Sequence, residues 1–150
     1  FAYSAESLAG KYYGAGNGLM LQKCVRVVNR FGIASALLFT VIYLVALYPI
    51  LSIFTDDTAA LELAMHYRWW VAAIPLAGYL AFVYDGISGG MTKTVIMRDT
   101  IFVSMVLFFV CYYFLSPLFG NDALWFSLIL FLLGRGVFQA FFINRIVHKK

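Results

Sequence analysis

The stretch that decides the fold lies at residues 31–54, "FGIASALLFTVIYLVALYPILSIF", and it contains no charged residue. With a rise of about 1.5 Å per residue, a helix of this length reaches about 36 Å. That length is enough to cross a hydrocarbon core of about 30 Å. We therefore predict that this segment spans a membrane, and that Pro49 either kinks the helix near its end or marks its exit.

The composition extends this prediction to the whole chain. Its 150 residues are 63% hydrophobic and only 12% charged, whereas an ordinary soluble domain is about 25% charged. The predicted fold class is an all-α membrane protein with four full transmembrane helices plus the end of a fifth. Besides residues 31–54, the predicted spans are residues 69–91, 101–119 and 123–143, with residues 1–16 as the end of the earlier helix.

The charges between the spans predict an orientation. Basic and acidic segments alternate along the chain, as successive spans of opposite direction require. By the positive-inside rule, the basic side and the C-terminus are predicted to be cytoplasmic. This topology accounts for the net charge of +4, so no nucleic-acid partner is expected. The basic side holds Lys11, Lys23, Arg26, Arg30, Lys93, Arg98, Arg145, Lys149 and Lys150, and the other side holds Arg68 with Asp56, Asp57, Glu62 and Asp122.

Two connecting segments carry helical patterns. Within residues 18–30, Leu21, Val25 and Val28 share one helical face and the basic residues lie largely on the other. Two interpretations stand: a basic amphipathic helix on the cytoplasmic surface, or a solvated extension of the next span. Residues 55–68, "TDDTAALELAMHYR", begin with capping residues and predict a short outer helix. Asp99 is expected as the N-cap of the helix at residues 101–119.

Asp85 is the first of three charged residues that fall inside apolar runs. A carboxylate within a span is costly, and it usually faces protein or a cavity. The helical neighbours of Asp85 support this, because Phe82 apart they are small or polar, and such residues allow close helix contact or line a cavity. Asp85 is therefore interpreted either as a proton or cation site, with sodium as one candidate, or as a structural ion-pair or hydrogen-bond group. Its neighbours on this face are Gly78, Ala81, Phe82, Ser88, Gly89 and Thr92.

Glu6 and Arg135 are the other two. Glu6 lies about 7 Å before Lys11, and it is interpreted either as an ion-coupling group or as a helix-end carboxylate at the interface. Arg135 lies about 18 Å into its span, so it needs an acidic partner, for which Asp85 and Glu6 are the candidates. A fixed ion pair and a pair that exchanges partners during transport both remain open.

No catalytic or metal-binding pattern accompanies these residues. The sequence contains no recognisable nucleophile–base pair or phosphate-binding loop, and Cys24 and Cys111 stand in different segments without metal-ligand spacing. We therefore predict a protein that is not an enzyme and that binds no metal cofactor. The expected partner is the lipid bilayer.

Four pieces of sequence occur in an order that resembles a known family. They are "FAYSAESLAGKYYGAGN", "LSIFTDD", "AFVYDGISGGMTKTVIMRDT" and "LWFSLILFLLGRG". Together with the spans between them, they are similar to the C-terminal part of MATE (multidrug and toxic compound extrusion) transporters of the DinF-like branch. The resemblance covers essentially the whole chain, which also begins without Met. We therefore expect a fragment of a longer transporter.

The resemblance implies an architecture of twelve helices in two six-helix lobes. By that resemblance, residues 1–16 correspond to the end of helix 8, residues 18–30 to a cytoplasmic linker, and residues 31–54, 69–91, 101–119 and 123–143 to helices 9 to 12. The expected location is the inner (plasma) membrane. The resemblance also implies that helices 1–7 lie outside this chain and that the N-terminal lobe, which they include, is its partner.

The resemblance further implies secondary active efflux of amphipathic, mostly cationic compounds, exchanged for protons or sodium ions by alternating access. Asp85 matches the place of a helix-10 acidic residue that helps to bind the coupling cation in the related NorM-type branch. Other family ion-site residues, an Asp in helix 1 and a Glu in helix 7, would lie outside this chain. No role carries over to Glu6 or Arg135.

Two alternative functions compete with antiport. A lipid-linked saccharide flippase of the same superfamily is disfavoured, because such proteins usually place more cationic residues in the cavity and Arg135 is the only deep cation here. A non-transporting membrane fragment is the second alternative, because five helices without a partner lobe could not alternate access.

Overall fold

The computed structural model describes residues 2–148, which form six helices. Four of the six are long and apolar enough to cross a membrane, and these are α2, α4, α5 and α6 as bounded below. This confirms the predicted all-α membrane fold with four full spans. The six helices are α1 (Ala2–Gly14), α2 (Gly18–Ser52), α3 (Thr58–His66), α4 (Arg68–Gly90), α5 (Thr94–Phe119) and α6 (Asn121–His148).

Side-chain contacts give the relative directions of the spans. Helix α2 runs antiparallel to α4, because Thr40 bonds to the carbonyl of Ala72 while Asn29 reaches Tyr84. Helices α4 and α6 run in the same direction, because Trp70 bonds to Asp122 near their starts and Tyr84 to Asn144 near their ends. We call the end at which α4 and α6 finish the basic end, because it carries Lys11, Lys23, Arg26, Arg30, Lys93, Arg98 and Arg145. The opposite end, with Asp56, Asp57, Glu62, Asp122 and Arg68, is the acidic end.

Residues 18–30 do not form a separate surface helix. They are the first turns of α2, which runs without a break from Gly18 to Ser52. No proline or glycine pair stands between residues 19 and 31 to interrupt the helix. The predicted apolar face is nevertheless present, because Leu21, Val25 and Val28 are buried in the core. The interpretation as an extension of the next span is therefore the right one, although one face of that extension is packed.

The helix ends follow from local sequence, with one correction. Asp57 caps α3, accepting a hydrogen bond from the backbone N–H of Ala59 at 2.9 Å, so the predicted short helix is confirmed. Asp99 is not an N-cap. Helix α5 already begins at Thr94, directly after a turn in which Thr92 takes a positive φ of 57°. Asp99 therefore lies inside the second turn, paired with Arg98 on the surface.

Helix α4 is the centre of the bundle. It packs along α1, α2 and α6, whereas α5 contacts mainly α6. In the most apolar 18-residue stretch of each helix, 50% of the residues of α4 are buried, against 6% of those of α5. Glycines make this packing close: a Cβ built on Gly136 of α6 would lie 2.8 Å from the backbone nitrogen of Ala81. Small residues of this kind let transmembrane backbones approach each other, and they position the polar groups described next.

Candidate functional site

Asp85 of α4 and Arg135 of α6 form an ion pair inside the bundle. The contact joins Arg135 Nη2 to Asp85 Oδ2, and the two side chains are only 15% and 16% exposed. The close contact of Gly136 with Ala81 brings the two helices together at this level. Of the two acidic candidates for the partner of Arg135, the structure selects Asp85.

This ion pair is not saturated. Asp85 Oδ1 and Arg135 Nε are both buried and have no hydrogen-bond partner within residues 2–148. Arginine and carboxylate groups often meet through two parallel hydrogen bonds, whereas this pair uses one oxygen of the carboxylate. The second oxygen of Asp85 is therefore an acceptor with unused capacity. A proton or a small cation is the kind of species that such an oxygen attracts.

One turn closer to the basic end, a second polar contact joins the same two helices. Gln139 of α6 donates through Nε2 to Ser88 Oγ at 2.9 Å and to the carbonyl of Tyr84 at 3.1 Å. Both Gln139 and Ser88 are fully buried, and Gln139 Oε1 has no partner within the described chain. Two polar contacts, one charged and one neutral, thus connect α4 to α6 in successive turns.

A third group of polar contacts was missed by sequence analysis. The Tyr84 hydroxyl donates to Asn144 Oδ1 at 3.1 Å and accepts from Asn29 Nδ2 at 3.4 Å, so it links α2, α4 and α6. These residues are 55 and 60 positions apart, and no short pattern connects them. Asn29 and Asn144 lie near span ends, where an amide needs no explanation. Only the burial of Tyr84, which is 3% exposed, shows their role.

Glu6 lies beside α4 but outside the ion pair. Its side chain is exposed, and a Cβ built on Gly89 would lie 3.5 Å from the Glu6 carboxyl carbon. Gly89 is one helical turn from Asp85, so Glu6 packs against the face of α4 that carries Asp85. Close contact between the Gly90 and Gly10 backbones holds α1 at this position. The structure therefore places Glu6 near, and not within, the Asp85–Arg135 pair.

The residues predicted to share a face with Asp85 have different surroundings. Gly78, Ala81 and Ser88 are buried in α4, with Gly78 and Ser88 facing α6. Phe82 is 58% exposed, and exposed Thr92 lies in the turn beyond the end of α4. Among residues 2–148, no group of three His, Cys, Asp or Glu side chains could hold a metal ion. Any cation at Asp85 would need further oxygen ligands from elsewhere.

These observations define a class: a multi-pass helical membrane protein that carries a partly satisfied ion pair within its spans. Comparison with known proteins gives the family. The family model MatE matches residues 1–118. The chain is also 36% identical over 137 residues to DNA damage-inducible protein F of Escherichia coli (strain K12), an alignment that covers 91% of this chain. No solved structure was found to match.

The chain belongs to the MatE family of multidrug and toxic compound extrusion proteins, whose members are transporters and not enzymes. The match over residues 1–118 takes in Asp85 and Glu6, while Arg135 lies beyond it. The chain spans about a third of the curated relative, because the alignment covers 30% of that protein. The resemblance to the DinF-like branch that the sequence motifs indicated is thereby confirmed.

Proposed function

We propose that this chain is the C-terminal part of a secondary active efflux transporter, which exchanges protons or sodium ions for amphipathic, mostly cationic compounds. Membership of the MatE family supports efflux at the level of the family. The observation that carries the coupling proposal is the ion pair between Asp85 and Arg135, in which the second carboxylate oxygen has no partner among residues 2–148.

The coupling mechanism follows from competition for Asp85. A proton or sodium ion that binds this carboxylate weakens its attraction to Arg135, because both cations compensate the same negative charge. The freed guanidinium is then a buried charge without a partner, which is costly in a membrane. The helices of this chain can lower that cost by moving together relative to the rest of the transporter. A ligand shifts a conformational equilibrium only by its differential affinity for the two states, and here the difference lies in whether Arg135 is paired.

Glu6 has a secondary role in this proposal. It offers a second carboxylate on the face of α4 that holds Asp85, in a position exposed to water or to the rest of the transporter. It could receive Arg135 or a passing cation when Asp85 is occupied. Cation binding at Asp85 alone would have few ligands, so the complete site also uses groups from helices outside this chain.

The orientation is part of the same proposal. Seven of the described Lys and Arg residues lie at the basic end and only Arg68 lies at the acidic end. We therefore assign the basic end to the cytoplasmic side of the membrane, and we assign the protein to the inner (plasma) membrane. Cysteine substitutions at Lys93 and at Glu62 can be labelled in whole cells with a membrane-impermeant thiol reagent. Labelling at residue 62 and protection at residue 93 are expected. The reverse pattern would overturn the assignment.

The decisive experiment is Asp85→Asn in the native-length transporter. Asparagine keeps the size of the side chain but removes the charge that a coupling cation needs. We expect the variant to lose at least about tenfold in gradient-driven efflux, which corresponds to about 1.4 kcal/mol in rate terms. Efflux of a cationic dye from proteoliposomes, under an imposed pH gradient or an imposed sodium gradient, measures the loss and identifies the ion.

Asp99→Asn is the matched control, because that carboxylate is 58% exposed and pairs only with Arg98 on the surface. It should transport normally. Equal efflux by Asp85→Asn and the parent protein, at equal amounts in the membrane, would rule out a coupling role for Asp85. Absence of dye efflux under either gradient in the parent protein would instead contradict the antiport proposal itself.

A further inference from the structure

A polar cleft opens at the basic end between α2, α4 and α6. Its volume is about 170 Å³, several times the roughly 30 Å³ that a water molecule occupies in the liquid. The cleft is therefore large enough for a phosphate group. It lies away from the Asp85–Arg135 pair, and none of its lining residues belongs to that pair. The lining residues are Gln22, Val25, Arg26, Tyr84, Asn144, Val147 and His148.

The lining offers hydrogen-bond donors and no carboxylate. The Arg26 guanidinium is exposed and makes no ion pair or hydrogen bond within residues 2–148. Asn144 uses its oxygen to accept from the buried Tyr84 hydroxyl, and Gln22 donates weakly to the carbonyl of Val147 at 3.4 Å. Both amides therefore have N–H groups left over. Such a set of donors around a cationic side chain suits an anion.

The surroundings of the cleft raise the positive charge further. Lys23 and Arg30 lie on the same helix as Arg26, and neither forms a salt bridge within the described part of the chain. The only ion pairs among residues 2–148 are those of Asp99 with Arg98 and Asp85 with Arg135. Three cations on the first turns of α2 thus have no counter-ion among residues 2–148. An anion from outside the bundle would compensate them.

An apolar track leads from the cleft into the membrane. Arg26, Arg30, Ile33 and Leu37 are spaced by four, three and four residues, so they lie on one face of α2. Ile33 is 41% exposed and Leu37 is 51% exposed. This face therefore places cationic groups at the basic end and exposed aliphatic groups deeper in the span. A ligand that matches both parts has an anionic head and a hydrocarbon tail.

We propose that the cleft binds the phosphate head group of an anionic phospholipid. Arg26 holds the phosphate, the free N–H groups of Gln22 and Asn144 complete its coordination, and one acyl chain runs along Ile33 and Leu37. A guanidinium presents a planar fork of donors that matches phosphate oxygens. The site fixes a lipid at the junction of three helices. It goes beyond the transport proposal and does not depend on whether Asp85 couples an ion.

Native mass spectrometry of the native-length protein tests this site. The protein is titrated with phosphatidylglycerol and, separately, with phosphatidylethanolamine of the same acyl chains. We expect tighter retention of phosphatidylglycerol by the parent protein. Arg26→Gln should weaken that retention about fivefold, the factor expected for one cationic side chain near an anionic lipid surface. Arg26 is exposed and has no ion-pair partner among residues 2–148, so the variant is expected to fold normally, and its elution profile checks this.

Two matched variants make the result specific. Arg68→Gln removes one positive charge at the acidic end and should leave lipid retention unchanged. Arg30→Gln should act in the same direction as Arg26→Gln but more weakly, because Arg30 does not line the cleft. Equal retention of the two lipids, or an equal loss on Arg68→Gln, would overturn the proposal. Displacement of phosphatidylglycerol by excess inorganic phosphate would also overturn it, by showing a site for free anions.

Discussion

Helix α6 packs on α4 with one face and on α5 with another, and the two contacts are built from different chemistry. Toward α4 it presents Arg135, Gln139 and the backbone at Gly136. Toward α5 it presents an aromatic contact, with Phe131 edge-on to Phe108 at 6.5 Å between ring centroids. The ion pair, the hydrogen bonds of Gln139 and the close backbone contact at Gly136 therefore all lie on the α4 side of α6. The α4–α6 contact therefore depends on polar interactions that apolar side chains could not replace.

The ion pairs give the largest expected contrast. Arg135→Gln leaves Asp85 buried without a counter-charge, and removing one partner of a buried pair should lower the free energy of unfolding by about 3 kcal/mol. Arg98→Gln breaks a pair whose side chains are 63% and 58% exposed, so its cost should stay below about 1 kcal/mol. Unfolding of the native-length protein by SDS in mixed micelles measures both. Equal costs would show that the α4–α6 pair is not effectively buried.

The glycines of α6 give the next contrast. A Cβ at Gly136 would lie 2.7 Å from Leu80 Cβ and 2.8 Å from the Ala81 nitrogen, whereas a Cβ at Gly134 would lie 3.4 Å from Ser104 Oγ. Gly136→Ala should therefore cost about 1–3 kcal/mol through overpacking. Gly134→Ala should be close to neutral, because alanine favours the helix. Thermal unfolding midpoints of the two variants provide the comparison, and a stable Gly136→Ala protein would contradict the close packing described for α4.

Two buried serines give the smallest contrast. Ser88 of α4 accepts a hydrogen bond from Gln139, while Ser104 of α5 is equally buried but its hydroxyl has no partner within residues 2–148. Ser88→Ala should lose about 1 kcal/mol, the net value of a typical hydrogen bond. Ser104→Ala should lose nothing, since it removes an unsatisfied group. The same unfolding assay distinguishes the two variants. A larger loss of unfolding free energy for Ser104→Ala than for Ser88→Ala would contradict the conclusion that the polar contacts stabilise the α4 side of α6.

Sequence reasoning reached most of the fold because the bilayer dictates it. An apolar run such as residues 31–54 spans a membrane as a helix, because the bilayer core offers no water to its backbone N–H and C=O groups and a helix pairs them internally. The continuity of α2 was left open for a physical reason. The amphipathic pattern of residues 18–30 is the same whether that face rests on lipid or on α4 and α6, and only the tertiary contacts decide between them.

For the site, the sequence narrowed the partner of Arg135 to two acidic residues, because a deep guanidinium requires one. Selecting Asp85 needed the crossing of α4 and α6, which depends on the contact at Gly136. The link from Tyr84 to Asn29 and Asn144 could not be anticipated. It joins three helices at one point, and each residue alone is unremarkable in an interfacial position.

The glycine contacts of α4 have a mechanical consequence. Backbone meets backbone at Gly90 with Gly10, and at Ala81 with Gly136, and a Cβ built on Gly32 of α2 would lie only 2.7 Å from a methyl group of Val83. A slide of α4 by the rise of one residue, about 1.5 Å, would take these closely fitted backbones out of register. Closely packed protein interiors resist compression. The part of the bundle around α4 should therefore travel as a stiff body, with the bending confined to its periphery.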